Sequence, residues 1–212
     1  MKGGGMGGKE HWDQVYHGNG ALAVSWYQAR PEGSLRLIEA AGVGKSGGII
    51  DIGSGASVLV DFLLDADYTN LAVLDLSRVA LGLAKQRLGP RAEVVTWFEA
   101  DVTEFIPPRR YALWHDRAVF HFLTHELDRR KYVETLTRTL APGGHAILAT
   151  FAKGGPLKCS GLDVCRYDAA SLCAELGAGL RLIEQVDETH VTPWKTEQKF
   201  SYFHFVEQTP KR

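Results

Sequence analysis

Short apolar runs alternate with segments of helical periodicity along the chain, and this alternation limits the possible folds more than any other feature. Five apolar runs have the length of buried strands; they cover residues 48–52, 71–76, 93–98, 112–115 and 145–151. Strands that alternate with helices form βαβ units, in which parallel strands lie side by side and helices cover both faces of the sheet. The sequence therefore predicts an α/β fold.

The helical segments between these runs have recognisable ends. Residues 34–41 carry apolar side chains at helical spacing, Ser77 is placed to cap a helix that ends near Gly89, and the pattern over 126–140 stops at Ala141-Pro142-Gly143-Gly144. After Phe151 we expect a glycine-rich loop, then a helix near 168–176. Two further strand-like runs follow at 180–188 and 199–207, and their short separation predicts an antiparallel hairpin. We interpret the chain as one domain.

Composition excludes several classes of protein. The 212 residues are 45% hydrophobic and 23% charged, a globular mixture that rules out collagen-like, coiled-coil and wholly disordered chains. With 24 basic and 25 acidic residues, no global field attracts nucleic acid or anionic lipid, and no apolar stretch is long enough to span a membrane. We therefore expect no nucleic-acid or membrane partner, and a monomer or weak homodimer.

Cysteine usage and the N-terminus bear on localisation. Cys159, Cys165 and Cys173 lack the spacing of a zinc site, which favours reduced thiols in a cytoplasmic protein and predicts no bound metal. Residues 1–9 are rich in glycine and lack the apolar stretch of a secretory signal, so we expect a flexible tail.

The first predicted strand ends in a glycine turn that contains an acid. In Asp51-Ile52-Gly53-Ser54-Gly55, the two glycines permit a tight turn and close approach of a ligand. A dinucleotide-binding turn would need glycine where Val58 stands, and Asp51 would repel a pyrophosphate. The same carboxylate can hold a ligand ammonium group, which argues against NAD.

Acidic residues also end the next three predicted strands. Asp75 can accept hydrogen bonds from two ribose hydroxyls, although a charge at a helix N-terminus is an alternative interpretation. Asp101 can accept from an exocyclic adenine amine, and His115-Asp116 ends the fourth strand. Because parallel strands end at the same edge of a sheet, these side chains are expected on one rim.

These motifs resemble those of the class I S-adenosylmethionine-dependent methyltransferases, and the likeness covers most of residues 10–207. Asp51-Ile-Gly-Ser-Gly is similar to the family's glycine-rich first motif, with Ser57 at its frequent third glycine, and Leu140-Ala-Pro-Gly-Gly-His resembles its turn before the fifth strand. The resemblance implies a Rossmann-like, seven-stranded, mostly parallel sheet with an antiparallel last strand. It also implies S-adenosyl-L-methionine as cofactor and S-adenosyl-L-homocysteine as product. The implied cofactor-binding residues are Trp12, Trp26, Tyr27, Asp51, Gly53, Gly55, Asp75, Leu76, Asp101, Val102 and Asp116.

The predicted chemistry is a one-step displacement in which positioning supplies most of the rate. Candidate bases at the pocket mouth are His115, Asp116, His121 and His190, with His121 about as well explained as a packed core residue. We expect residues 10–45 to form a lid or cap in which Trp12, Tyr16, Trp26 and Tyr27 close the site. Residues 46–152 would form the cofactor-binding half and residues 153–212 the acceptor-side half.

Local segments further resemble small bacterial methyltransferases related to the lysine methyltransferases of citrate synthase and elongation factor 1A. They include His11-Trp12-Asp13, Asp116-Arg117-Ala118 and His190-Val191-Thr192. Arg117 is expected to pair with Asp116 or to anchor an acidic acceptor. The predicted function is methyl transfer to a nitrogen, oxygen or sulfur atom of a small molecule. Protein-lysine methylation and non-catalytic nucleotide binding are the alternatives.

Overall fold

The protein is described here by a computed structural model that covers residues 8–19 and 23–208. Within these residues the helices are α1 (Lys9–Asn19), α2 (Glu32–Ala40), α3 (Leu59–Asp65), α4 (Arg78–Leu88), α5 (Glu126–Thr139) and α6 (Ala169–Leu176). The strands are β1 (Ile49–Ile52), β2 (Leu71–Asp75), β3 (Val95–Glu99), β4 (Tyr111–Arg117), β5 (Leu140–Phe151), β6 (Lys158–Cys159), β7 (Leu162–Asp163), β8 (Leu180–Val191) and β9 (Glu197–Glu207). Most of the predicted N-terminal tail, residues 1–7, lies outside the described residues.

The main sheet has seven strands in the order β3-β2-β1-β4-β5-β9-β8. Neighbouring strands among the first five are parallel, whereas β9 runs antiparallel to both β5 and β8. This confirms the predicted Rossmann-like sheet with its antiparallel last strand. The strand order reverses between β1 and β4, and a crevice at the carboxyl ends of these strands is where such sheets bind ligands.

Apolar side chains fill both faces of the sheet. All four residues of β1 are buried, and successive residues of a strand point to opposite faces. Ile49 accordingly packs in one apolar cluster with Leu71 and Leu113, and Ile50 packs in a second with Ala72 and Trp114. Burial on both faces explains why the parallel strands read as continuous apolar runs rather than as alternating ones.

Helix α4 begins at the predicted cap and carries a contact that positions α1. Ser77 Oγ accepts a hydrogen bond from the Ala80 N–H at 3.1 Å, which satisfies one free donor of the first turn. The Ser77 hydroxyl in turn donates to Asp13 Oδ1 of α1 at 2.6 Å. The first helix is thereby joined to the residues that follow β2.

The structure corrects three details. Strand β5 begins at Leu140 rather than at residue 145, because Leu140 pairs with Tyr111 and the next pair is Leu113 with His145, so the Ala-Pro-Gly-Gly segment forms an irregularity within the strand. The segment expected to be a loop after Phe151 contains the short hairpin of β6 and β7. Leu127, one of the apolar residues in the helical pattern predicted over 126–140, is 70% exposed and lies off the buried face of α5.

In the described parts of the chain, no helix has the length and apolar character needed to cross a membrane.

Candidate active site

Two adjoining cavities lie at the carboxyl ends of β1, β2 and β4. The first, called here the β1 cavity, is lined by Tyr16, Val24, Trp26, Tyr27, Gln28, Pro31, Ser34, Asp51, Ile52, Gly53, Ser54, Ala56, Ser57, Leu59, His115 and Arg117. The second, the β2 cavity, is lined by Trp12, Tyr16, Trp26, Ile52, Gly53, Leu74, Asp75, Leu76, Val102, Arg117, Ala118, Val119 and Phe122. The shared residues make the two cavities neighbours in a single crevice.

The turn after β1 requires both of its glycines. Gly53 has a φ of +57° and Gly55 a φ of +56°, a conformation that is strained for residues with a side chain. A Cβ at Gly53 would lie 1.9 Å from Val119 Cγ2, and a Cβ at Gly55 would lie 2.0 Å from the Tyr16 hydroxyl. The turn is thus packed tightly against Val119, which follows β4, and against Tyr16 of α1.

Asp75 holds this turn in place from the end of β2. Its Oδ2 accepts from the Gly55 N–H and its Oδ1 from the Ser77 N–H, both at 2.7 Å. Burial raises the pKa of this carboxyl to about 6, against the opposing effect of the two backbone donors. Each carboxylate oxygen keeps a second lone pair, so Asp75 remains able to accept from a ligand in the β2 cavity.

Asp51 presents an unsatisfied oxygen beside the β1 cavity. Its Oδ1 lies 2.6 Å from His115 Nδ1, whereas Oδ2 is buried and has no hydrogen-bond partner among the described residues. The hydroxyl of Ser54, two residues beyond Ile52, is unpaired in the same way. Because buried polar atoms are nearly always paired, a ligand that brings donors to this cavity would complete their hydrogen bonding.

Of the remaining residues predicted at the ends of the second and third strands, two border the β2 cavity and one does not. Leu76 and Val102 line the β2 cavity. Asp101 does not border either cavity; its Oδ1 accepts from the backbone N–H and the hydroxyl of Thr103, each at 2.8 Å. Val102 is therefore the member of the predicted adenine pair that the structure brings to the crevice.

Aromatic side chains from the predicted lid segment line the crevice. Trp12, Tyr16 and Trp26 border the β2 cavity, and the Trp26 ring makes edge contacts with both of the others. Tyr27 lines the β1 cavity. These residues belong to α1 and to the segment 23–30, which has no helix or strand.

Three side chains from β4 and β8 anchor this segment. Arg117 Nη1 donates to the Trp26 carbonyl at 2.9 Å, and Glu188 accepts from Gln28 Nε2 at 3.0 Å. His190 Nε2 donates to the carbonyl of Ser25 at 2.7 Å. Burial and the charge of Arg117 lower the pKa of His190, against the opposing effect of its hydrogen bond to the Ser25 carbonyl.

The four candidate bases occupy different environments. His115 borders the β1 cavity, but both ring nitrogens are engaged, with Asp51 and with Ser34 Oγ. Asp116 is not at the pocket mouth: it is completely buried and accepts from the Val119 and Phe120 N–H groups and from the Tyr132 hydroxyl. Burial raises its pKa to about 6.

His121 is also displaced from the expected position. It is fully buried against the rings of Phe122 and Phe151, where burial lowers its pKa to about 3. His190 borders a separate groove between the segment 23–30 and β8 rather than either cavity. The core-histidine interpretation of His121 therefore fits the structure, and His190 acts as an anchor of the covering segment.

The structure corrects the expected pairing of Arg117 with Asp116. Arg117 borders both cavities and donates from Nε to Tyr202 Oη at 2.9 Å. Sequence reasoning missed Ser34, which reaches the β1 cavity from α2, and Glu188 of β8, which holds Gln28 from the neighbouring groove. Among the described residues, no group of three or more His, Cys, Asp or Glu side chains is arranged to hold a metal ion.

Comparisons with known proteins agree with this geometry. A family model described as a methyltransferase domain matches residues 49–144. EEF1A lysine methyltransferase 2 from Danio rerio is 24% identical over 162 residues, which cover 68% of this chain and 69% of that protein.

Solved structures share nearly the whole fold. N-methyltransferase NodS from Bradyrhizobium japonicum WM9, in complex with S-adenosyl-l-homocysteine, matches with a TM-score of 0.72 at 19% identity, over 95% of this chain and 100% of NodS. A structure concerned with the conversion of a disulfide bond into a thioacetal group during echinomycin biosynthesis matches with a TM-score of 0.79 at 18% identity, over 96% and 94% of the two chains.

Residues 49–144 thus form a methyltransferase domain, and the protein is an S-adenosylmethionine-dependent methyltransferase. The crevice suits this cofactor on its own evidence, because the glycine turn leaves no room for a side chain and Asp51 offers an unpaired carboxylate oxygen. The sequence prediction of family, cofactor and enzyme class is thereby confirmed, and non-catalytic nucleotide binding is set aside.

Proposed function

We propose that the enzyme methylates a nucleophilic nitrogen, oxygen or sulfur atom of a small molecule by direct in-line displacement. The observation that carries this proposal is the covering of the crevice by the segment 23–30, tied down by Arg117, Glu188 and His190. A covered site with aromatic walls favours an acceptor that can be enclosed away from water. The turn that joins β8 to β9 is short, which gives little surface for docking a protein.

The residues proposed to hold the cofactor are distributed over both cavities. Asp75 would accept from the ribose hydroxyls, and Leu76 with Val102 would contact the adenine in the β2 cavity. Asp51 Oδ2 would accept from the ammonium group of the methionine part. S-adenosylmethionine supplies an activated methyl group when bound, so the protein has no covalent step to perform.

Positioning is proposed as the main contribution of the protein. None of the four candidate bases presents a free acceptor atom to the two cavities. Both ring nitrogens of His115 already make hydrogen bonds, and the other three residues do not border the cavities. Rate enhancement then comes from orienting the acceptor and excluding water. An acceptor that reaches the site already unprotonated fits this arrangement best.

A methyl-labelling experiment tests the acceptor class. The protein is incubated with cell lysate and cofactor labelled on its methyl group, and macromolecules are then separated from small molecules. Label in the small-molecule fraction supports the proposal, provided that an Asp75→Asn variant produces much less of it at a limiting cofactor concentration. Label confined to one protein band, and reduced in the same way with the variant, overturns the proposal in favour of a protein substrate.

Protein-lysine methylation is the second candidate function. Its support is the 24% identity to EEF1A lysine methyltransferase 2. A lysine must be neutral to attack, and the aromatic rings of Trp26 and Tyr27 would attract its ammonium form on entry. If this candidate is right, alkaline hydrolysis of the labelled band releases methylated lysine.

A further inference from the structure

A chain of buried hydrogen bonds supports Asp51 from three separate elements. Asp51 Oδ1 lies 2.6 Å from His115 Nδ1, and His115 Nε2 lies 2.8 Å from Ser34 Oγ. Asp51 belongs to β1, His115 to β4 and Ser34 to α2, and their exposed fractions are 4%, 2% and 0%.

This sequence of contacts has the connectivity of a hydrolytic Ser-His-Asp triad, but the unsatisfied atom is at the opposite end. In a hydrolase the serine oxygen faces the substrate and the aspartate is buried behind the histidine. Here Ser34 has no exposed surface and its hydroxyl faces His115 Nε2. Asp51 Oδ2 is the atom without a partner in the described chain, so the arrangement serves Asp51 rather than a nucleophilic serine.

One tautomer of His115 satisfies both contacts. When Ser34 donates to Nε2, the ring proton stands on Nδ1 and donates to Asp51 Oδ1. A buried carboxylate is costly unless a donor supports it, and the His115 N–H is such a donor, which also fixes the rotation of the carboxylate. The second oxygen is then left beside the β1 cavity in a defined position.

We propose that His115 and Ser34 are positioning residues for cofactor binding, which hold Asp51 so that Oδ2 accepts from the ammonium group of the methionine part of S-adenosylmethionine. This inference rests on the assignment of the β1 cavity to that part of the cofactor. It gives His115 a role other than that of a general base, and it includes a serine of α2 in the site.

Two substitutions of His115 form a matched pair. The amide nitrogen of His115→Asn stands near the position of Nδ1 and can still donate to Asp51, whereas the longer side chain of His115→Gln reaches toward Ser34 instead. Calorimetry compares S-adenosylhomocysteine with 5′-methylthioadenosine, which keeps the adenosine and sulfur but lacks the amino-acid part. We expect His115→Gln to weaken S-adenosylhomocysteine binding by about tenfold or more, and His115→Asn by no more than about threefold.

Binding of 5′-methylthioadenosine separates positioning from a general structural role. The proposal predicts that its affinity is the same in the wild type and in both variants. Equal losses for both ligands, or full retention of S-adenosylhomocysteine affinity in His115→Gln, would overturn it. Ser34→Ala provides a second test with a smaller change in the core, and it should weaken only S-adenosylhomocysteine.

The outcome is distinguishable from failure of the proposed function. If Asp51→Asn leaves S-adenosylhomocysteine affinity unchanged, the positioning proposal is wrong. Methyl transfer to a small acceptor, measured with labelled cofactor, is a separate readout. It tests the proposed function, and its result does not depend on whether His115 and Ser34 position Asp51.

Discussion

The substitution Asp75→Asn probes the cofactor site with almost no change in shape. Each oxygen of Asp75 accepts one backbone N–H at 2.7 Å and has a further lone pair for a ribose hydroxyl. Asparagine keeps only one oxygen, so one ribose hydroxyl and one of the two backbone N–H groups lose their acceptor. A hydrogen bond to a charged group contributes about 1.5–3 kcal/mol, which predicts roughly 10- to 100-fold weaker binding of S-adenosylhomocysteine.

The pH dependence of binding makes the same prediction sharper. Because burial raises the pKa of Asp75 to about 6, wild-type affinity for S-adenosylhomocysteine should fall as the pH drops below 6 and the acceptor is protonated. Asp75→Asn should lack that dependence. Calorimetry between pH 5 and pH 8 measures both effects, with the surface variant Asp65→Asn as control. An affinity within about twofold of the wild type at pH 7.5 would refute the ribose assignment.

Three further predictions concern the turn, the core and the covering segment. Gly53→Ala should lower the free energy of unfolding by about 2 kcal/mol or more, because of the positive φ of residue 53 and the contact of the new Cβ with Val119. Adding Val119→Ala should restore part of this free energy in urea titrations. An unchanged unfolding midpoint in Gly53→Ala would contradict the tight packing of the turn. Burial lowers the pKa of His121 to about 3, so as the pH falls from about 6.5 toward 3 the unfolded state binds a proton that the folded state does not, and the free energy of unfolding falls by about 1.4 kcal/mol per pH unit. His121→Phe should flatten the pH dependence of the free energy of unfolding, measured with urea between pH 7 and pH 5. Identical pH slopes in the variant and the wild type would exclude His121 as the source. Amide exchange over residues 23–30 should slow when S-adenosylhomocysteine binds and should quicken in Arg117→Met, which removes the donor to Trp26; equal exchange in all states would show that this segment does not respond to ligand.

Much of the fold follows from local pattern. The buried parallel strands are continuous apolar runs, and the cap at Ser77 is a short-range signal that the structure confirms. The start of β5 was mispredicted because Ala141-Pro142-Gly143-Gly144 resembles a turn, yet Leu140 already pairs with Tyr111 across the sheet. Pairing with another strand decides where such a strand begins, and the local sequence pattern carries no information about that pairing.

The site illustrates a different limit. Gly53 and Gly55 were predictable because the turn itself needs them, and Asp75 because it ends the second strand, whereas His115 and Asp116 were expected side by side at the pocket. Adjacent residues of a strand point to opposite faces, so His115 reaches the β1 cavity and Asp116 turns toward Tyr132.

Arg117, the next residue along β4, points back toward the crevice by the same rule. The alternation of side chains along β4 could therefore have separated these roles from sequence alone. Ser34, Glu188 and Tyr202 had no comparable signal. They contact His115, Gln28 and Arg117, respectively, and each of these contacts joins distant parts of the chain.

A crystal structure of the protein with S-adenosylhomocysteine tests the central claim most directly. The account predicts that the ribose hydroxyls lie within hydrogen-bond distance of the Asp75 carboxylate and that the amino nitrogen contacts Asp51 Oδ2. It also predicts that the adenine lies in the β2 cavity against Leu76 and Val102. A bound ligand whose ribose is remote from Asp75, or whose amino group is held elsewhere while Asp51 Oδ2 stays unpaired, would contradict it.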